Sequence, residues 1–137
     1  MPKTKICSAD EAVSVIQSHQ RLFLTGNCSV PKVLVQALVN RASLLNDVEI
    51  LQVLTLGCFD YADPALEGHL RINSMFISED VRAAVHDGRA DFTPVFLSEI
   101  PQLYRTQLPI DVALIHVTPP DEHGFCSFGV EVGVTKA

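Results

Sequence analysis

A chain of 137 residues, 47% hydrophobic and 19% charged, is long enough to bury a core and short enough to be one domain. Ten Lys and Arg against sixteen Asp and Glu leave a net charge of −6, with no basic stripe or aromatic-interleaved patch, which argues against a nucleic-acid partner and against general steering of an anionic ligand. No apolar run reaches the roughly 18 residues of a membrane-spanning helix, so no membrane partner is expected.

The first six residues, Met1-Pro2-Lys3-Thr4-Lys5-Ile6, hold neither a signal-peptide core nor an Arg-rich amphipathic helix. The expected compartment is therefore the cytoplasm, with the mitochondrial matrix as the alternative. Cys7, Cys28, Cys58 and Cys126 are widely spaced and form no C-x-x-C pair, so they are expected as reduced thiols and neither a disulfide frame nor a metal site is expected.

Ser8 with Glu11 has the spacing of a capping box for a helix to about Gln17, with Val13 and Ile16 on one face. Arg21 to Thr25 is a predicted strand ending at Gly26. Pro31 suits the first turn of a helix that runs to about Ala42. Val48 to Leu56 is a second, mostly apolar strand, followed by a loop from Gly57 to Pro64 and a helical turn over Ala65 to Glu67. Leu70 to Ile77 alternates and is expected as a strand nearer an edge. Ser78 is the expected cap of a helix that Gly88 ends, with Glu79 and Asp80 favourable against its dipole. A strand over Phe92 to Phe96, a helix over Ser98 to Gln107 and a long strand over Ile110 to Val117 complete the order. Strands and helices alternate throughout, which predicts an α/β fold: a mostly parallel open sheet with helices on both faces.

In such a sheet the loops after the strands lie on one rim, where ligands bind. Three loops qualify: Gly26 to Pro31, Gly57 to Pro64, and Pro119 to Gly129. The first pairs a glycine with the N–H groups of a helix start, which suits an oxyanion, although an ordinary strand-to-helix turn has the same look. There is no G-x-G-x-x-G, so no dinucleotide site is expected. In the third loop Asp121, Glu122 and His123 are either acid–base candidates at a cleft mouth or a solvated turn. His116, inside an apolar strand, is expected as a core histidine. Asp60, Asp63, Glu67 and His69 read as a solvated loop face. Cys28 reads as a small loop residue and Cys126, between Phe125 and Phe128, as packing.

Four passages occur in an order that resembles the acetyl-CoA hydrolase/transferase family, relatives of 4-hydroxybutyrate and acetate CoA-transferases. They are Gly26-Asn27-Cys28-Ser29-Val30-Pro31; Phe76-Ile77 with Val81-Arg82-Ala83-Ala84-Val85; Gly88-Arg89-Ala90-Asp91-Phe92-Thr93-Pro94 continuing into Leu97-Ser98-Glu99-Ile100-Pro101; and Asp111-Val112-Ala113-Leu114-Ile115 through Pro119-Pro120-Asp121 to Gly124, Ser127 and Gly129. The resemblance implies the amino-terminal domain of a two-domain protein, with the CoA-transferase (NagB/RpiA-like) fold over residues 1–137. It implies CoA as a substrate with no cofactor, an acyl-CoA and a short-chain carboxylate as ligands, and a second domain or partner subunit that supplies the nucleophilic glutamate. It places the Pro119 to Gly129 loop against the substrate cleft, with Gly124 and Ser127 at positions that match the family. Together with the first loop this makes Gly26, Asn27, Pro120, Glu122, His123, Gly124 and Ser127 the expected substrate-binding residues, none of them the nucleophile. Glu122 is the tempting exception, but it matches no family glutamate motif.

The expected activity is CoA transfer through a glutamyl-CoA thioester formed in the other domain, with the chain inactive by itself. Acyl-CoA hydrolysis and a non-catalytic interaction module or split subunit are the alternatives. A face made for a partner, with homo-oligomer formation, is a further expectation. Valine at Gly26 or Gly124 is expected to lower activity while the fold survives.

Overall fold

The computed structural model describes residues 5–57 and 60–137, so the expectation for Cys58 lies outside the described residues. Helix α1 (Ala9–Val13) starts where predicted, because the Ser8 hydroxyl accepts the Glu11 N–H at 3.2 Å. It stops four residues before Gln17. The Ser14 hydroxyl turns back to the Glu11 carbonyl, and Arg41 takes the Val13 and Ile16 carbonyls at 2.6 and 3.0 Å. A charged donor thus satisfies carbonyls that a continuing helix would have used itself.

Strand β1 (Arg21–Leu24) leads into α2 (Lys32–Arg41), with Pro31 at its amino-terminal boundary. Strands β2 (Val48–Gln52) and β3 (Leu70–Ser74) follow, joined by short 3₁₀ turns. Helix α3 (Glu79–His86) leads to β4 (Asp91–Phe92), α4 (Ile100–Thr106) and β5 (Val112–Leu114). All the pairings are parallel, and the strand order is β4-β3-β2-β1-β5.

Alternation sends Leu22, Leu24, Ile50 and Ile72 to one face, where Val13 and Ile16, Leu38 of α2 and Val81 of α3 cover them. Phe23 and Leu51 point to the other face, under α4. There Ile100 packs with Leu51, and the Tyr104 ring lies 5.7 Å from that of Phe23. Helices therefore occupy both faces, as the alternation of elements predicts. Beside this apolar patch the same face carries a polar group that runs from the start of β1 across β2 and β3 to the end of β4. Arg21 pairs with Glu49 at 2.5 Å, Asn73 donates to Glu49 at 2.9 Å, and Thr93 donates to Asn73 at 2.7 Å.

Two expectations need correction. The Ser78 side chain makes no cap bond; its hydroxyl faces Thr55 Oγ1 at 3.4 Å, in a buried group where Thr55 also meets the Tyr61 hydroxyl at 2.5 Å. The strand expected over Phe92 to Phe96 is displaced to Asp91–Phe92. After the Thr93 N–H bonds to Ser74, the partner strand has ended and Pro94 has no N–H to offer.

Candidate functional site

The carboxyl ends of the parallel strands meet on one rim, and a cavity of about 380 Å³ opens there on the α4 side. Its floor is Phe23 from β1. Its walls are Val53 and Leu54 after β2, Met75 and Phe76 after β3, and Val95 and Leu97 after β4. Ile100 of α4 closes one side, and Glu131, Gly133, Val134 and Thr135 close the other. Val134 belongs to the same apolar cluster as Leu51, Met75 and Ile100, so this final segment is packed onto the face. The Tyr104 hydroxyl donates to Met75 Sδ at 3.1 Å and fixes one wall side chain. Burial pushes the Tyr104 phenol above its ordinary range, so it remains a protonated donor.

Gly26 and Asn27, in the loop after β1, complete the lining. A Cβ on Gly26 would stand 2.2 Å from the Leu54 carbonyl oxygen, so two backbone segments approach there as only glycine permits. Asn27 takes the left-handed conformation, φ 49°, and donates its N–H to that same carbonyl at 2.6 Å. With its backbone donor used, the Asn27 side-chain amide is the donor it has left for a ligand. Thr25 braces the turn from below: its hydroxyl donates to the Ser29 carbonyl at 2.7 Å and accepts the His116 N–H at 3.3 Å.

Of the residues singled out in the sequence, Gly26 and Asn27 line this cavity. Pro120, Glu122, His123, Gly124 and Ser127 are exposed and outside its lining. They sit in a turn that bonds to itself. Asp121 Oδ1 accepts the N–H groups of His123 at 2.9 Å and Phe125 at 2.8 Å, and the Thr118 N–H reaches the Ser127 carbonyl at 2.9 Å. Glu122 and His123 approach one another at 3.5 Å in solvent.

His116 is exposed and is no core histidine, because β5 ends at Leu114 and leaves it beyond the sheet. Cys126 is exposed and does not pack, and Cys7 and Cys28 are also exposed free thiols. Asp63 accepts the Ala65 N–H at 2.7 Å and His69 Nδ1 meets the Leu45 carbonyl at 2.6 Å, so both have structural partners. Among the described residues no three His, Cys, Asp or Glu side chains converge as metal ligands.

The apolar walls were not singled out in the sequence, because Phe23, Val53 and Met75 look like ordinary core residues. The available signal was position: Val53 and Met75 lie one step past the last residues of adjacent parallel strands, so they share the rim.

The acetyl-CoA hydrolase/transferase amino-terminal domain matches residues 3–137. The chain belongs to this family. The 4-hydroxybutyrate coenzyme A transferase of Clostridium kluyveri is 40% identical over 135 residues, a stretch that is 98% of this chain and 32% of that protein. The succinyl-CoA:acetate/propanoyl-CoA:succinate CoA transferase of Fasciola hepatica is 40% identical over 133 residues, 95% of this chain and 27% of that protein. Among solved structures RipA from Yersinia pestis superposes with a TM-score of 0.85 at 26% identity, over 94% of this chain and 32% of that one. The chain thus spans between 27% and 32% of the length of these three proteins. Among the described residues no helix is long and apolar enough to cross a membrane.

Proposed function

We propose that this chain forms the acyl-binding wall of a CoA-transferase that moves CoA between an acyl-CoA and a short-chain carboxylate. The observation that carries the reading is the apolar cavity at the carboxyl ends of the strands, with Gly26 and Asn27 in its lining, in a chain of this family. The acyl tail enters the cavity and its carbonyl stays beside Asn27. A glutamate from outside this chain attacks that carbonyl and expels the CoA thiolate, giving an acyl-glutamyl anhydride. The thiolate then attacks the glutamyl carbonyl and releases the acyl group as its carboxylate, leaving an enzyme–CoA thioester. The Asn27 amide donates to the oxygen on which charge develops. Coenzyme A is a substrate in this scheme, and the second domain or partner subunit brings the nucleophile.

The test is CoA exchange from acetyl-CoA to added butyrate. The chain alone is expected to give none, and the chain joined to the remaining two thirds that its relatives possess is expected to turn over. In the joined protein Val95→Trp, which fills the cavity, should lower kcat/KM by as much as about 100-fold, the cost of a misplaced reacting group. Turnover by the chain alone that Glu122→Gln abolishes would overturn the reading and make Glu122 the nucleophile. CoA release without acceptor measures hydrolysis in the same assay.

A further inference from the structure

We infer that the rim cavity selects an apolar acyl tail longer than acetyl, straight or cyclic, and discriminates against a dicarboxylate such as succinate. This rests on the reading of the cavity as the acyl site and goes beyond it to the substrate class. Phe23, Val53, Met75, Val95 and Val134 present only carbon and sulfur to the interior. Among the described residues the lining has no Lys, Arg or His; its polar side chains are Asn27 and Thr135, and its one charged side chain is an acid, Glu131.

A succinyl tail would carry its far carboxylate into this chamber. That group would lose water, find no cation and meet the Glu131 carboxylate, so its burial is unfavourable twice over. An apolar tail meets the opposite conditions. The volume of about 380 Å³ leaves most of the chamber empty around an acetyl group. Each methylene buried there should tighten binding about threefold to fourfold. Met75, an unbranched thioether, adapts its shape to straight or ring-shaped tails.

Binding to the 137-residue chain is measured by methyl NMR of Met75, Val53 and Val95. Acetate, butyrate, hexanoate, cyclohexanecarboxylate and succinate serve as the probes. Affinity should rise from acetate through butyrate to hexanoate and cyclohexanecarboxylate. Succinate, which carries a carboxylate in place of butyrate's terminal methyl, should bind more weakly than butyrate by at least the roughly threefold that one lost apolar carbon costs. Val95→Phe should weaken hexanoate more than acetate; if that variant fails to fold, the ranking on the unaltered chain decides.

Succinate that binds as tightly as butyrate and shifts the same methyls would overturn this inference and leave the acyl-site reading standing. Probes that leave the Met75, Val53 and Val95 methyl signals unmoved at saturating concentration would overturn both.

Discussion

At the scale of single residues, Gly26 changes meaning between sequence and structure. The motif suggests a glycine kept for approach to substrate, so that a larger residue would reduce activity in an intact fold. The structure puts the close contact inside the protein: the missing Cβ would lie 2.2 Å from the Leu54 oxygen, and the left-handed conformation belongs to Asn27. Gly26→Ala is therefore expected to destabilise the fold by about 1–3 kcal/mol, the cost of forcing atoms into packed space. A urea titration checks this, and an unchanged midpoint would show that the two segments can separate freely. Gly124 behaves differently. Its φ of 81° needs glycine, yet nothing lies within 4 Å of a Cβ there, so Gly124→Ala is strained only in its backbone.

Between elements, the Arg71 guanidinium of β3 grips the Asp91 carboxylate of β4 through two bonds, at 2.5 and 2.6 Å. The hydrogen bond from Arg71 holds Asp91 below the ordinary carboxylate range, and the same bond raises Arg71. A carboxylate with a depressed folded pKa stabilises fully above its unfolded value, and that contribution disappears as pH falls through the folded one. Both side chains are nearly half exposed, so solvent screening limits the pair to about 1 kcal/mol or less. The urea midpoint of Asp91→Asn should lie below that of the parent at neutral pH, and the gap should narrow as the pH falls below the ordinary carboxylate range. A gap that persists in acid would mean that Asp91 acts through packing.

Element order was legible because turn chemistry and alternation agree along the chain. Strand lengths were not legible. Residues 110–117 look like one strand, but β1 offers only four residues to pair with, so β5 stops after three. The walls of the cavity were hidden for a related reason: which apolar residues face a void depends on where neighbouring strands stop. Gly26 and Asn27 were visible because a strand-to-helix turn marks a rim from local sequence alone.

Across the described residues, several large apolar side chains stay in solvent, with Phe96 78%, Phe125 72% and Val130 83% exposed. Exposed apolar side chains of this size are expected where a partner docks. The chain by itself is expected to bind a hydrophobic dye and to scatter more light as its concentration rises. A dye-negative monomer at high concentration would count against a missing partner. The strand order carries a separate consequence for how the chain assembles during synthesis. β2 and β3 lie beside their predecessors, whereas β5 must return to β1 across the 90 residues that separate Arg21 from Asp111. Closing so long a loop is entropically costly and comes late. Until residues 111–114 leave the ribosome, one edge of β1 stays unpaired, with Leu22 and Leu24 beside it. A nascent chain that stalls before that point offers its neighbours on the polysome a bare apolar edge, the template on which strands of other copies add.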